Sequence, residues 1–138
     1  MSPIFCDTSA FYAVVVPEDH AHQAAASAWQ SLLLEGHQLV TTNYIILESL
    51  TLLQSRFGLE TAKRFHEAIQ QNVQVHAISS SLHEAAIDDV FRFGKRKLSL
   101  VDCSSFIFMR HSHISKMFAY DPNFEEQGFQ AFTPTRSA

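Results

Sequence analysis

Four acidic residues stand at positions from which carboxylates can act together: Asp7, Glu48, Asp102 and Asp121. Two of them end short apolar runs, one opens a helical pattern, and one lies inside an apolar helical pattern. Removing an isolated carboxylate from water is very costly, and few basic residues are close to these acids in the sequence. A divalent cation held by oxygen ligands would account for all four. Mg²⁺ and Mn²⁺ prefer such ligands, and they assist the hydrolysis of phosphodiesters.

Each of the three aspartates also has a purely structural interpretation. Asp7 is placed to form an Asx turn before the residues that follow it. Asp102 is the third residue after Ser99, which is the spacing of a helix capping box. Asp121 precedes a Pro-Asn pair, which is a turn signal. Taken one at a time, Asp7 leaves the structural and the functional interpretation both open, whereas Asp102 and Asp121 favour the structural one.

Glu48 differs from the aspartates because it lies in the middle of a predicted helix. It is one turn from Tyr44 and from Leu52, so it shares their apolar face. A structural role there would require a buried base, and the nearest basic residue in the helix, Arg56, is two turns away. The position of Glu48 therefore favours a functional role.

The bulk properties of the chain restrict its class. Its 138 residues suit one domain with a single core. The net charge of −4 gives no general sign of nucleic-acid binding, so such binding would need a local basic patch. Cys6 and Cys103 lack metal-site spacing and are expected to be reduced thiols. No segment is long enough to span a membrane and no signal peptide is evident, so we predict a cytoplasmic protein.

Short apolar strands alternate with longer helical runs along the chain, which predicts a parallel α/β sheet with helices on both faces. The active sites of such folds lie beyond the carboxyl ends of the strands, where Asp7 and Asp121 are expected. We predict one domain over 1–132 and a flexible tail over 133–138. The predicted strands are 3–6, 38–41, 73–78, 116–120 and 129–132, and the predicted helices are 8–15, 20–35, 43–57, 59–71, 82–93 and 100–109.

The segments around the four acids resemble the four motifs of PIN (PilT N-terminus) domains, in the same order. They are IFCDTS at 4–9, LESL at 47–50, LSLVDCSSF at 98–106 and FAYDPNF at 118–124. The last two are the most specific and are similar to those of VapC-type toxin ribonucleases. The resemblance implies a PIN-like three-layer α/β/α sandwich with a five-stranded parallel sheet. It also implies Mg²⁺- or Mn²⁺-dependent cleavage of single-stranded RNA by a metal-activated water.

The resemblance also implies roles for individual residues and partners. The four acids would form the metal site, with Ser9 and Ser104 as supporting hydrogen-bonding residues. Val101 departs from the family, which often has Thr there, but the departure leaves the acids intact. VapC-type toxins often form homodimers and bind an antitoxin protein through a groove formed by their early helices. Three aromatic residues are candidates for such partner surfaces: Phe11, Phe57 and Phe65.

Basic residues and histidines provide the remaining candidates for chemistry. Arg92, Lys95, Arg96 and Lys97 precede the Asp102 helix, and they are either a solvated loop or a surface that binds RNA phosphates. The pairs His20-x-His22 and His111-x-His113 are interpreted as surface or helix-end residues, since a zinc site needs three or four converging ligands.

Two other functions compete with the ribonuclease hypothesis. A PIN domain could serve as an RNA-binding or assembly module without cleavage, which only a cleavage assay would distinguish. A receiver-like signalling domain also has clustered acids, but it would need adjacent acids after the first strand. The Cys6-Asp7 pair and the lack of a well-placed lysine argue against the receiver.

Overall fold

Five short strands form one parallel sheet in a computed structural model that describes residues 2–134. The order across the sheet is 3-2-1-4-5, so the first strand lies at the centre. This arrangement confirms the predicted five-stranded parallel sheet. The strands are β1 (Ile4–Cys6), β2 (Leu39–Thr42), β3 (Gln74–His76), β4 (Lys116–Phe118) and β5 (Gln130–Ala131).

Helices fill most of the chain between the strands, at the positions that the sequence predicted. Strands β3, β4 and β5 are each shorter than predicted, and β3 and β5 lie at the edges of the sheet, where each pairs with one neighbour. The predicted tail at 133–138 lies largely outside the described residues. The helices are α1 (Thr8–Val15), α2 (His22–Leu34), α3 (Asn43–Phe57), α4 (Leu59–Asn72), α5 (Ser80–Phe93), α6 (Leu100–His111) and α7 (Asn123–Glu126), of which the last was not predicted.

The strand order creates a switch point between β1 and β4. From β1 the chain moves outward on one side to β2 and β3, and it then returns to form β4 and β5 on the other side. Right-handed crossovers place α1 to α4 on one face of the sheet and α5 to α7 on the other. Beyond the carboxyl ends of β1 and β4, Asp7 N donates to Phe118 O at 3.0 Å. This is the position at which parallel α/β folds form their sites.

Aromatic residues fill much of the core on both sides of the sheet. Phe5, Phe106 and Phe124 are almost completely buried, and the rings of Phe106 and Phe124 meet edge to face with centroids 5.0 Å apart. Cys6 and Cys103 are buried free thiols, as predicted. No helix within residues 2–134 is both long and apolar enough to cross a membrane.

The aromatic residues proposed for partner surfaces differ in their exposure. Phe57 is 44% exposed. Phe11 and Phe65 are only 2% and 5% exposed and contact each other edge to face, but both line an apolar groove between α1, α2 and α4. A single sequence does not distinguish a buried phenylalanine on an amphipathic helix from one at the rim of a groove.

Candidate active site

All four acids line one cleft of about 1030 Å³ at the carboxyl end of the sheet. Asp7 follows β1, Glu48 projects from α3, Asp102 lies in the first turn of α6, and Asp121 comes after β4. The structure therefore brings together residues that are more than 110 positions apart in the chain. This arrangement is consistent with the prediction that the four acids share one cavity.

Asp7 is the most buried of the acids and is fixed by the start of α1. It is 4% exposed and caps the helix, because Oδ2 accepts hydrogen bonds from Ser9 N at 3.0 Å and Ser9 Oγ at 2.7 Å. Ser9 Oγ also accepts a hydrogen bond from Tyr120 N at 2.9 Å. Ser9 thus links the Asp7 carboxylate to the backbone next to Asp121, which is the supporting position that was expected of it.

Asp102 and Asp121 are held by their local backbone in a similar way. Asp102 and Ser99 form a complete capping box, in which Asp102 Oδ2 accepts from Ser99 N at 3.0 Å and Ser99 Oγ accepts from Asp102 N at 3.1 Å. Asp121 Oδ1 accepts a hydrogen bond from Asn123 N at 2.9 Å. Among the described residues, each of the three aspartates accepts a local backbone hydrogen bond on one carboxylate oxygen, as a helix cap in Asp7 and Asp102 and as a turn contact in Asp121, and keeps the other oxygen without a protein donor.

Within the described part of the chain, Glu48 has neither a capping role nor an ion-pair partner. It is half-buried on the cleft face of α3. Arg56, the nearest base in the helix, instead donates a hydrogen bond to Tyr12 Oη at 2.8 Å. Within residues 2–134, none of the four acids forms an ion pair. The charge of Glu48 is therefore not explained by a structural salt bridge.

The electrostatics of the cleft show that its carboxylates interact unfavourably. Burial raises the pKa of Asp7 from 3.8 to about 7, and repulsion from Asp102 and Glu48 adds to the effect, although the Ser9 hydrogen bonds oppose it. The pKa of Asp102 is also raised, first by burial and further by the charges of Asp121 and Glu48. Such mutual repulsion is expected where several carboxylates share a site intended for a cation.

The donor set of the cleft fits a hard divalent cation. In the described part of the chain, no three acidic, histidine or cysteine side chains are already close enough to surround a metal ion directly. Mg²⁺ keeps several waters and is commonly bound through one or two carboxylates, so a widely spaced set of acids is compatible with it. The free oxygens of the aspartates and the unpaired Glu48 are ligands of the right kind.

The other candidate residues are only partly at the cleft. Ser104 is buried, and its Oγ donates to Val101 O at 2.7 Å, a contact to its own helix rather than to a carboxylate. Lys97 lines the cleft, whereas Lys95 and Arg96 are exposed and outside its lining. Arg92 is paired with an aspartate one turn earlier in α5.

The histidines singled out by spacing do not converge on a metal. His20 is almost fully exposed, and His22 Nδ1 is 2.7 Å from Ala13 O at the start of α2. His111 ends α6, and His113 is exposed. The interpretation of these four as surface or helix-end residues is confirmed. His83, which the sequence analysis did not consider, is the histidine that lines the cleft.

Comparisons with known proteins agree with this fold and site. The PIN domain family model matches residues 4–130. The 23S rRNA-specific endonuclease VapC20 of Mycobacterium tuberculosis, in strains CDC 1551 / Oshkosh and ATCC 25618 / H37Rv, is 32% identical over 133 residues, which cover 95% of this chain and 98% of the relative. The chain belongs to the PIN domain family, and its similarity to VapC20 confirms the predicted VapC-type resemblance.

Solved structures support the same conclusion about the fold. The crystal structure of M. tuberculosis VapC20, described as a Sarcin-Ricin loop cleaving toxin, superposes with a TM-score of 0.81 at 32% identity and covers 91% of this chain and 95% of that one. FitAcB from Neisseria gonorrhoeae matches with a TM-score of 0.64 at 13% identity, over 95% of this chain and 97% of that one. The second likeness shows the fold alone.

Proposed function

We propose that this protein is a Mg²⁺- or Mn²⁺-dependent endoribonuclease that acts as the toxin of a VapBC-like pair. The observation that most directly supports this is the cleft itself, in which four carboxylates share a cavity and none of them forms an ion pair within residues 2–134. The 32% identity to an endonuclease over almost the whole chain supports the same class of activity. A non-cleaving RNA-binding or assembly module is the alternative, and it gives no reason for a cluster of acids whose burial and mutual repulsion raise the pKa values of Asp7 and Asp102.

The proposed site divides the work among residues of the chain. Asp7 and Asp102 would hold the cation through the oxygens that their caps leave free, and Glu48 and Asp121 would complete the site and orient the attacking water. When bound, Mg²⁺ or Mn²⁺ would supply Lewis-acid stabilisation of the charge that develops on the phosphoryl oxygens. Ser9 would keep Asp7 in place, because its hydroxyl is bonded both to that carboxylate and to the β4 end.

A cleavage assay tests this proposal. Purified protein with Mg²⁺ or Mn²⁺ should cut single-stranded RNA and leave a 5′-phosphate, as expected for attack by water, and EDTA should stop the reaction. Undiminished cleavage in EDTA would contradict the metal mechanism. Failure to cleave any RNA with either cation would favour the non-cleaving module instead.

The substrate class can be narrowed by the same relative. VapC20 is described as specific for 23S rRNA and as cleaving the Sarcin-Ricin loop. We propose that this chain also cuts an exposed loop of ribosomal RNA, since sequence-specific RNA recognition targets unstacked single-stranded bases. A hairpin of that loop should be cleaved faster than the same bases closed into a duplex, and equal rates would contradict loop recognition.

We place this activity in the cytoplasm, where ribosomes are found and thiols stay reduced.

An apolar groove between α1, α2 and α4 is a candidate surface for the antitoxin. It has a volume of about 300 Å³ and lies away from the acidic cleft. Its floor and walls are largely aromatic and aliphatic, with Arg64 at the rim, so an amphipathic segment with an apolar face and an acidic group would fit it. The apolar lining residues are Phe11, Val14, Val15, Trp29, Phe65, Ala68 and Ile69.

Binding of a cognate antitoxin would test the groove. Ala68→Glu places a charge on its half-buried wall and should abolish antitoxin binding, while RNA cleavage by the free protein should persist. Unchanged antitoxin binding would exclude the groove as the antitoxin surface.

We also propose that the protein forms a homodimer. Sedimentation at micromolar concentration should then give twice the chain mass of 15.6 kDa.

A further inference from the structure

A hydrogen-bonded pair of aromatic side chains lies in the cleft beside the acids, outside the four motifs. Tyr44 Oη and His83 Nδ1 are in hydrogen-bond contact. Their rings meet at 85° with centroids 5.8 Å apart. Tyr44 is on α3, one turn before Glu48, and His83 is near the start of α5. Both side chains are half-buried and both line the cleft, so the pair contributes to its wall.

The contact fixes the orientation of the imidazole and occupies one of its nitrogens. In residues 2–134, no group hydrogen-bonds to Nε2 of His83, and the ring forms no ion pair there. When the Tyr44 hydroxyl donates to Nδ1, the proton of the neutral imidazole is on Nε2. The ring then offers a hydrogen-bond donor in the cleft without carrying a charge.

A donor of this kind matches the backbone of a bound RNA. In the proposed function, the acids and their cation contact the phosphate that is cut. They make no contact with the flanking phosphates. Besides His83, the cleft lining within residues 2–134 offers the ammonium of Lys97 and several hydroxyl groups as donors. Phosphate contacts position a nucleic acid in a site. A protonated Nε2 cannot bind a metal ion, and hard cations prefer oxygen, so His83 is better suited to the RNA than to the cation.

We propose that His83 is a substrate-contacting residue, which donates a hydrogen bond from Nε2 to an RNA phosphate flanking the cleaved bond, and that Tyr44 is the residue that positions it. This inference rests on the proposed ribonuclease function. The competing explanation is that the pair only ties α3 to α5. A structural tie would affect stability, whereas a substrate contact affects KM.

Steady-state cleavage of single-stranded RNA with Mn²⁺ separates these explanations. His83→Ala should raise KM about tenfold, as expected when a hydrogen bond to a charged group is lost, with kcat within about twofold of the wild type. His83→Gln keeps an N–H donor at a similar distance from the backbone and should restore most of the affinity. His66→Ala, on the exposed face of α4, is the matched control and should change neither constant. An unchanged KM in His83→Ala, or a loss confined to kcat, would overturn the proposal.

Tyr44→Phe tests the positioning role because it removes the hydroxyl and keeps the ring. Its KM should rise by less than that of His83→Ala. The double variant should be no worse than His83→Ala alone, since two residues that act through one contact are not additive. Additive effects on KM would overturn the positioning role of Tyr44, and a lower melting temperature in both single variants with unchanged KM would leave only the structural tie.

RNA carrying a methylphosphonate at one position at a time identifies the phosphate directly. With the wild type in EDTA, neutralising one flanking phosphate should weaken binding, and in His83→Ala the same substitution should have no further effect. Equal losses in both proteins at every position would overturn the contact. This binding experiment does not need cleavage, so a wild type that fails to cut RNA would refute the proposed function without deciding the role of His83.

Discussion

The acidic cleft and the apolar groove are built on opposite physical principles, although α1 contributes to both. In the groove, Phe11, Trp29 and Phe65 pack edge to face with centroids 5.3 to 6.3 Å apart, and these contacts stabilise the fold. In the cleft, carboxylates repel one another, and burial raises the pKa of Asp7 to about 7. One surface adds to stability in the isolated chain. The other reduces it, and a bound cation would relieve the repulsion.

This difference predicts that substitutions in the two regions will have opposite consequences. Removing a side chain from the groove should destabilise the protein and leave the chemistry intact. Neutralising an acid should abolish the chemistry and leave the metal-free fold equally stable or more stable. The following variants test the comparison in order of decreasing expected effect.

The largest effect is expected for Asp102→Asn. The amide cannot replace a charged metal ligand, so kcat/KM should fall by more than the 10–100-fold that is typical when a residue supporting a ligand is lost. The amide oxygen can still accept from Ser99 N, so the circular dichroism spectrum should not change. A variant that retains full activity would remove Asp102 from the site.

Phe65→Ala should show the reverse pattern. Phe65 is 5% exposed and packs on Phe11 with ring centroids 5.3 Å apart, so its truncation should lower the free energy of unfolding by about 3–5 kcal/mol. At a temperature where the variant is still folded, its kcat should equal that of the wild type. Denaturant melts and cleavage rates measure the two quantities. A variant that loses activity without losing stability would link the groove to the chemistry.

Asp7→Asn should stabilise the metal-free protein, to an extent that depends on pH. Because the pKa of Asp7 is raised from 3.8 to about 7, its carboxyl binds protons more tightly in the folded state. The wild type therefore loses stability from this group as the pH rises from 3.8 to about 7, and the loss is constant above that range. In EDTA at pH 8 the free energy of unfolding of Asp7→Asn should exceed that of the wild type by about a few kcal/mol. At pH 3.5 this difference should vanish. Equal stability at both pH values would contradict the buried charge.

Lys97→Ala is expected to have the smallest effect. Lys97 lines the cleft and Lys95 does not. Lys97→Ala should therefore weaken RNA binding by a few fold, and Lys95→Ala should not. Lys97→Ala should also flatten the dependence of log Kd on log salt by about 0.7, the value for one lost phosphate contact with a single strand. Fluorescence anisotropy over a salt series measures both slopes. Identical slopes for Lys97→Ala and Lys95→Ala would indicate that the whole basic cluster is a solvated loop.

The sequence predicted the sheet and the four acids because each acid has a local signal. Asp7, Asp102 and Asp121 stand at element ends, and Glu48 interrupts an apolar helix face. The structure is compatible with both the structural and the functional interpretation of the aspartates, since within residues 2–134 one oxygen of each accepts a local backbone hydrogen bond and the other has no protein donor. Local patterns could not show that one oxygen of each carboxylate is engaged and the other is not.

The features that the sequence missed depend on contacts between distant residues. Tyr44 and His83 are 39 positions apart, and their contact exists only because α5 begins close to α3. Likewise, only Lys97 of the basic cluster lines the cleft, three residues before the start of α6, and Lys95 and Arg96 are outside its lining. Long-range packing of this kind leaves no periodic signal in one chain.

Glu48 provides the most direct test of the claim that the acids form one metal site, since it is the acid with neither a cap nor an ion pair within residues 2–134. Thermal unfolding of the wild type and Glu48→Gln should be followed in EDTA and with Mn²⁺. A cation that binds only the folded state stabilises it by RT ln(1 + [L]/Kd). The account predicts that Mn²⁺ raises the melting temperature of the wild type, that the rise is smaller in Glu48→Gln, and that the variant is at least as stable in EDTA. A less stable variant in EDTA with an undiminished response to Mn²⁺ would contradict it.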